Sequence, residues 1–152
     1  DALPILMNSG EEIKVLLVDD EPHFVKLLAE RLAGRGFNVE TAGGGSEAID
    51  RAKEEPYDAI VLDLLMPEMD GLETLKQLKE INPDLQVILL TGHGTIDKGV
   101  EAIKLGAMDF VEKPADFKEL LEKIKKAKDK RMLLVSKRHE EWVKEQMKSK
   151  SW

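Results

Sequence analysis

Apolar positions along the chain follow two alternating rhythms. Short runs, Ile13–Val18, Asn38–Thr41, Ala59–Leu62, Gln86–Leu90 and Met108–Val111, have the length and punctuation of strands, and three of them are almost unbroken in apolar character. Unbroken runs suit strands covered by helices on both faces. Between them, apolar residues recur at helical spacing: Phe24, Leu27, Leu28 and Leu32; a thinner face of Ala48, Ile49 and Ala52; Leu72, Leu75 and Leu78; Ile96, Val100 and Ile103; and Phe117, Leu120, Leu121 and Ile124. Strands alternating with helices from residue 13 to about residue 128 predict repeated β-α units and a parallel sheet. The punctuation agrees: Ser46 is placed to cap the second helix, Asn82-Pro83 to close the third, and Gly106 to end the fourth in a left-handed turn.

Two of the apolar runs end in acids. Ile60 to Leu62 leads into Asp63 and then a turn at Met66-Pro67 before Gly71, and Ile13 to Val18 leads into Asp19-Asp20-Glu21-Pro22. Carboxylates at the C-terminal ends of strands emerge in the ligand crevice of an open α/β sheet. If the first and third strands are neighbours, Asp19, Asp20 and Asp63 converge, and each resists ionising unless a cation joins them. A hard divalent ion with oxygen ligands, Mg2+ above all, meets that need.

Taken together, Asp19-Asp20, the block from Asp63 through Pro67 to Asp70-Gly71, Thr91-Gly92 after an apolar strand, and Phe110-Val-Glu-Lys113-Pro114 resemble the receiver domain of two-component response regulators. The match covers about residues 11 to 128, with four motifs in the family's order. It implies a flavodoxin-like, doubly wound α/β fold with five parallel strands in the order 2-1-3-4-5, which puts the first and third strands side by side.

The resemblance also implies roles. Asp63 is the phosphoryl acceptor, a weak nucleophile made competent when a metal and cations neutralise the transferred oxygens. Asp20 ligates Mg2+ directly, Asp19 mainly through water, and the backbone carbonyl of Leu65 adds another oxygen. Lys113 and Thr91 meet the phosphoryl oxygens, Lys113-Pro114 is the family's cis peptide, and Thr91 with Phe110 forms the switch that alters the face of the fourth helix, fifth strand and fifth helix. Each has a plainer reading: Asp63 as a turn cap, Asp19-Asp20 as acids at a helix N-terminus, Lys113 as a surface cation, Phe110 as core. Glu21 and Pro22 keep that plain role. Leu65 has no side-chain group to orient an attacking water, so a long-lived phosphoryl state is expected. His93 is expected at the mouth of the site, either tuning that lifetime or, more plainly, as a solvated loop histidine, whereas His23 and His139 lie on helices without metal or dyad partners.

Composition then narrows the setting. At 152 residues the chain suits one domain at roughly 100–200 residues per domain. Cysteine does not occur, which excludes disulfides, thiolate metal sites and a cysteine nucleophile and fits the cytoplasm. No apolar segment approaches the ~18 residues of a membrane span, and residues 1–7 lack the basic and apolar regions of a signal peptide. Residues 1–10 read as an N-terminal extension, Met7 as a natural start and residues before it as foreign. The net charge of −7 hides an asymmetry: residues 116–150 hold twelve Lys/Arg and seven Asp/Glu, against eleven and 23 elsewhere. An acidic body argues against direct nucleic-acid binding. Residues 129–152 read as a helical tail, either a continuation of the fifth helix or a restart, and by default a solvated extension.

The expected partners are a sensor histidine kinase or a histidine phosphotransfer protein, together with a downstream protein or an output domain. A second copy could dock through the face of the fourth helix, fifth strand and fifth helix. The chain reads as a phosphoacceptor and not a turnover enzyme, acting alone or as the receiver of a longer regulator. Two rivals stand beside it. One is a haloacid-dehalogenase-like phosphohydrolase, which wants an acid where Leu65 stands; the other is a non-phosphorylated interaction module. Gly92-His93-Gly94 lacks the third glycine of a dinucleotide fingerprint, and Gly43-Gly44-Gly45-Ser46 lacks the lysine of a P-loop.

Overall fold

The computed structural model describes residues 12–66, 70–92 and 96–149. In chain order the elements are β1 (Lys14–Val18), α1 (Pro22–Ala33), β2 (Asn38–Ala42), α2 (Gly45–Glu54), β3 (Ala59–Asp63), α3 (Gly71–Ile81), β4 (Val87–Thr91), α4 (Ile96–Lys104), β5 (Asp109–Glu112) and α5 (Phe117–Ser149). All strand pairs are parallel and the order is β2-β1-β3-β4-β5, so the doubly wound α/β fold is as expected.

Because side chains alternate across a strand, each central strand feeds two cores. Leu16, Val18, Ile60, Leu62, Val87 and Leu89 pack with Ala48 and Ile49 of α2, Leu75 and Leu78 of α3 and Ala102 of α4. Val15, Leu17, Ala59, Val61, Ile88, Leu90 and Val111 pack on the other face with Leu28 and Leu32 of α1 and Leu120, Leu121, Ile124 and Ala127 of α5. The sheet is therefore covered on both sides, which explains why β1, β3 and β4 need apolar residues at nearly every position.

Helix ends follow local chemistry, with one correction. Asp70 caps α3 by accepting the Leu72 N–H at 3.0 Å, Asn82 closes that helix, and Gly106 takes a φ of +106° after α4. Ser46, in contrast, is not a cap. Helix α2 already starts at Gly45, its N-cap Gly44 makes no side-chain bond, and Glu47 instead accepts the Gly43 N–H at 2.9 Å.

Two expected stripes are also corrected. On α4, Val100 and Ile103 are 48% and 40% exposed, while Gly99 and Ala102 are buried against the sheet. Small residues face the Phe110 ring and the sheet there, and Val100 and Ile103 are turned outward, while the Ile96 side chain lies outside what the structure describes. Leu27 of α1 is likewise 60% exposed, beside the buried Leu28.

Helix α5 runs on through residue 128 without a break, giving 33 residues and a length of about 50 Å. Beyond Ala127 no described residue of the helix belongs to either core, and polar contacts tie it to the body, starting with Lys128, which donates to the Glu12 carbonyl at 3.4 Å. Arg131 donates to Asp58 at 2.8 Å, and Arg138 reaches Asp84 at 2.6 Å.

Candidate functional site

Parallel strands share one C-terminal edge, and the register of that edge assembles the site. Val18 of β1 lies opposite both Ala42 of β2 and Leu62 of β3, while Asp63 lies opposite Leu90 of β4. Asp19 thus leaves β1 beside Asp63, and one oxygen from each of Asp19, Asp20 and Asp63 lies within 4.8 Å of the others. Asp19 and Asp63 are buried, 4% and 5% exposed, whereas Asp20 faces solvent.

Each buried acid has one oxygen used by backbone and one by lysine. Asp19 accepts the Glu21 N–H at 3.0 Å, which fixes the turn into α1, and Asp63 accepts the Leu65 N–H at 3.2 Å. The remaining oxygens face Lys113, whose Nζ lies 3.2 Å from Asp19 Oδ2 and 3.4 Å from Asp63 Oδ2. Lys113 follows β5, where its own N–H donates to the Thr91 carbonyl at 2.7 Å, and the Lys113–Pro114 peptide is cis.

The electrostatics follow from burial. Burial and the neighbouring Asp19 push the Asp63 carboxyl above its ordinary range, only partly opposed by the Leu65 N–H and Lys113. Burial acts to lower the Lys113 ammonium, but Asp63 and Asp19 outweigh it and hold the group above its usual value, so it is a cation at neutral pH. Three carboxylates facing one ammonium leave an excess of negative charge. An all-oxygen, hard donor set of this kind fits a divalent cation that prefers oxygen ligands.

Thr91 ends β4, fully buried, with its hydroxyl donating to the Val111 carbonyl at 3.4 Å, a long bond. Phe110 sits on β5, half-buried, with its ring against Gly99 of α4. The edge therefore gathers Asp19, Asp20, Asp63, Thr91 and Lys113, and Phe110 stands on the next strand, facing α4. Leu65 is 51% exposed at the rim. His93 and Pro67 lie outside the described residues; His23 and His139 are exposed on α1 and α5, and His139 stacks on Trp142 at 6.2 Å.

One site residue escaped sequence reasoning. The Phe24 ring lies 4.7 Å from Lys113 Nζ, close enough for a cation–π contact. In the sequence it is one more apolar position of a helical stripe, and only the packing of α1 against the segment that leads from β5 into α5 gives it a cation. A cleft of about 480 Å³, lined by Asp19, Asp20, Val25, Ala29, Thr41 and Gly43 among others, opens beside the acids between α1 and the β2 end.

Comparison with known proteins follows the same lines. The family described as the response regulator receiver domain matches residues 15–125. The transcriptional regulatory protein ZraR of Klebsiella oxytoca is 40% identical over 112 residues, which is 74% of this chain and 25% of that protein. The crystal structure of a response regulator receiver domain protein from Clostridium thermocellum superposes with a TM-score of 0.77 and 32% identity, covering 80% of this chain and 98% of its own. That of NtrX from Brucella abortus gives 0.76 and 31%, covering 82% of this chain and 28% of its own. The chain spans about a quarter of the length of the ZraR proteins it matches. Neither rival reading, phosphohydrolase or non-phosphorylated module, draws support from these relatives.

Proposed function

Since the chain belongs to the response regulator receiver domain family, we propose that it takes a phosphoryl group from a phosphohistidine onto Asp63 and relays the event through its α4-β5-α5 face. The donor is a sensor histidine kinase or a histidine phosphotransfer protein. The observation that carries this reading is the placement of Asp63 at the end of β3, within 4.8 Å of Asp19 and Asp20 and 3.4 Å from the Lys113 ammonium.

In the transfer, an Asp63 oxygen forms a P–O bond as the P–N bond to the donor imidazole breaks, and the departing nitrogen keeps the electron pair. Charge on the phosphoryl oxygens is met by the Lys113 ammonium and the Thr91 hydroxyl. Mg2+ held by Asp19, Asp20, Asp63 and the Leu65 carbonyl would supply further charge neutralisation to the transferred group. The chain turns over nothing of its own beyond gaining and losing this phosphoryl group. The apolar Leu65 side chain at the rim offers no hydrogen bond to an attacking water, which supports a long-lived phosphoryl state.

Engagement of Thr91 by the phosphoryl group draws its hydroxyl from Val111 and frees room for Phe110, biasing a two-state surface. The exposed Val100 and Ile103 of α4 lie on that surface, where a downstream protein, an output domain or a second copy would read the change. Residues 11–128 form the signalling unit and 129–152 extend it. The setting is the cytoplasm, and among the described residues no helix is long and apolar enough to cross a membrane. Intact-mass measurement after exposure to a phosphoramidate donor with Mg2+ tests the reading: one added phosphoryl group per native chain and none on Asp63→Asn. Equal uptake by both would refute it.

A further inference from the structure

Gly99 is the one residue of α4 whose side chain, if it had one, would collide with the switch ring. A Cβ built there would lie 3.2 Å from Cγ of Phe110 and 3.3 and 3.4 Å from its two Cδ atoms, contacts tighter than side chains ordinarily accept. The ring therefore lies flat against bare helix backbone. Glycine is a poor helix former, so its presence inside α4 weakens the helix and calls for a packing reason.

The backbone on the other side of the contact has little room to retreat. Phe110 is laddered to Leu89 of β4 in the parallel sheet, and its carbonyl accepts Lys123 Nζ of α5 at 3.0 Å. Lys123 also pairs with Asp109 at 3.1 Å, which holds β5 against α5 from the outside. With β5 fixed on both edges, extra volume at Gly99 must be taken up by the ring or by α4.

We infer that Gly99 is a positioning residue of the switch: its missing side chain forms the seat that holds the Phe110 ring against α4 in the resting state and so sets the balance between resting and phosphorylated surfaces. This rests on the reading of Asp63 and Phe110 given above. Filling the seat with one methyl disfavours the resting ring position and shifts the population towards the alternative.

The test is a double-mutant cycle read with fluoroberyllate, a phosphoryl mimic, and Mg2+. Gly99→Ala is expected to tighten fluoroberyllate binding by roughly threefold to tenfold in the native background and to have much less effect in Phe110→Leu. The helix-propensity gain of alanine is common to both backgrounds and cancels in the cycle. In fluorophenylalanine-labelled protein, the Phe110 fluorine resonance, assigned by its loss in Phe110→Leu, should move in Gly99→Ala towards its fluoroberyllate-bound position.

Equal effects of Gly99→Ala in both backgrounds, weaker binding, or an unmoved Phe110 resonance would overturn the inference while leaving Asp63 as acceptor. Fluoroberyllate binding that is the same in native protein and Asp63→Asn would instead refute the underlying reading. Should Gly99→Ala alone fail to fold, recovery of folding in Gly99→Ala/Phe110→Leu would support the ring as the conflicting group, and no recovery would count against it.

Discussion

Asp63→Asn should make the metal-free protein more stable at neutral pH, although it removes the proposed acceptor. Asp19 and Asp63 are both almost wholly buried, and their carboxylate oxygens approach within 4.8 Å. At an effective dielectric of about 20, two unit charges at that separation repel by on the order of 3–4 kcal/mol. The Lys113 ammonium 3.4 Å from Asp63 attracts by about 5 kcal/mol on the same scale but is shared with Asp19, and the Asp63 charge must also give up hydration. Burial and Asp19 together win, since they hold the Asp63 carboxyl above its ordinary value against the Leu65 N–H and Lys113. Removing the charge should then leave a net gain on the order of 1 kcal/mol, or roughly 2–4 °C in melting temperature.

The pH dependence has a definite sign. A carboxyl raised in the folded state binds more protons folded than unfolded, so the native chain loses stability as pH climbs from the ordinary carboxylate value through the raised one. The advantage of Asp63→Asn should therefore be small in acid and develop towards neutrality. Thermal melts in chelator across that range measure it directly. Mg2+ that binds only the folded chain should stabilise the native protein, by about 2.7 kcal/mol at a hundredfold excess over Kd, and help Asp63→Asn less. An Asp63→Asn protein that melts at or below the native temperature in chelator at neutral pH would refute the reasoning.

Lys113→Met leaves Asp19 and Asp63 facing each other without a counter-charge and should cost roughly 2–4 kcal/mol in chelator, with Asp63→Asn restoring more than half in denaturant titrations; simple additivity would contradict the shared ion contact. Gly71→Ala puts a Cβ 2.7 Å from the Cα and carbonyl oxygen of Leu64, so backbone beside Asp63 must shift. A loss of about 1–3 kcal/mol and slowed phosphoryl uptake are expected, neither of which should follow Gly43→Ala, whose Cβ meets only Glu47 at 3.7 Å. On the α5 extension, Arg131→Ala removes one of two donors to the buried Asp58, which keeps the Lys14 N–H at 2.8 Å, and should cost about 1–2 kcal/mol, whereas Arg138, 60% exposed against 24% for Arg131 and facing an equally buried Asp84, should give less than about 1 kcal/mol. Equal effects of the two would show that burial does not decide the strength of these pairs.

The acids were legible because each terminates an unbroken apolar run, and a strand buried on both faces writes its end plainly into sequence. That Asp19 and Asp63 meet depends on β1 lying beside β3, and the local pattern does not contain that adjacency; it came from the family's motif order. Helix α4 misled because hydrophobic periodicity weighs large residues, whereas the inward face there is Gly99 and Ala102 and the Phe110 ring fills the space. Phe24 beside Lys113, and Arg131 reaching Asp58 across 73 positions, are contacts between distant segments that no short-range signal announces. Ser46 failed for a simpler reason: the extended Gly44 lets the helix begin before it.

The acceptor itself can be located by chemistry. Borohydride reduces an acyl phosphate at its carboxyl carbon to an alcohol, and peptide mapping then reads the position. After treatment with a phosphoramidate donor and Mg2+, the alcohol should appear at position 63 and at no other acid. Reduction confined to Asp19 or Asp20, or an unreduced peptide 63 in a chain that has gained phosphate, would contradict the assignment.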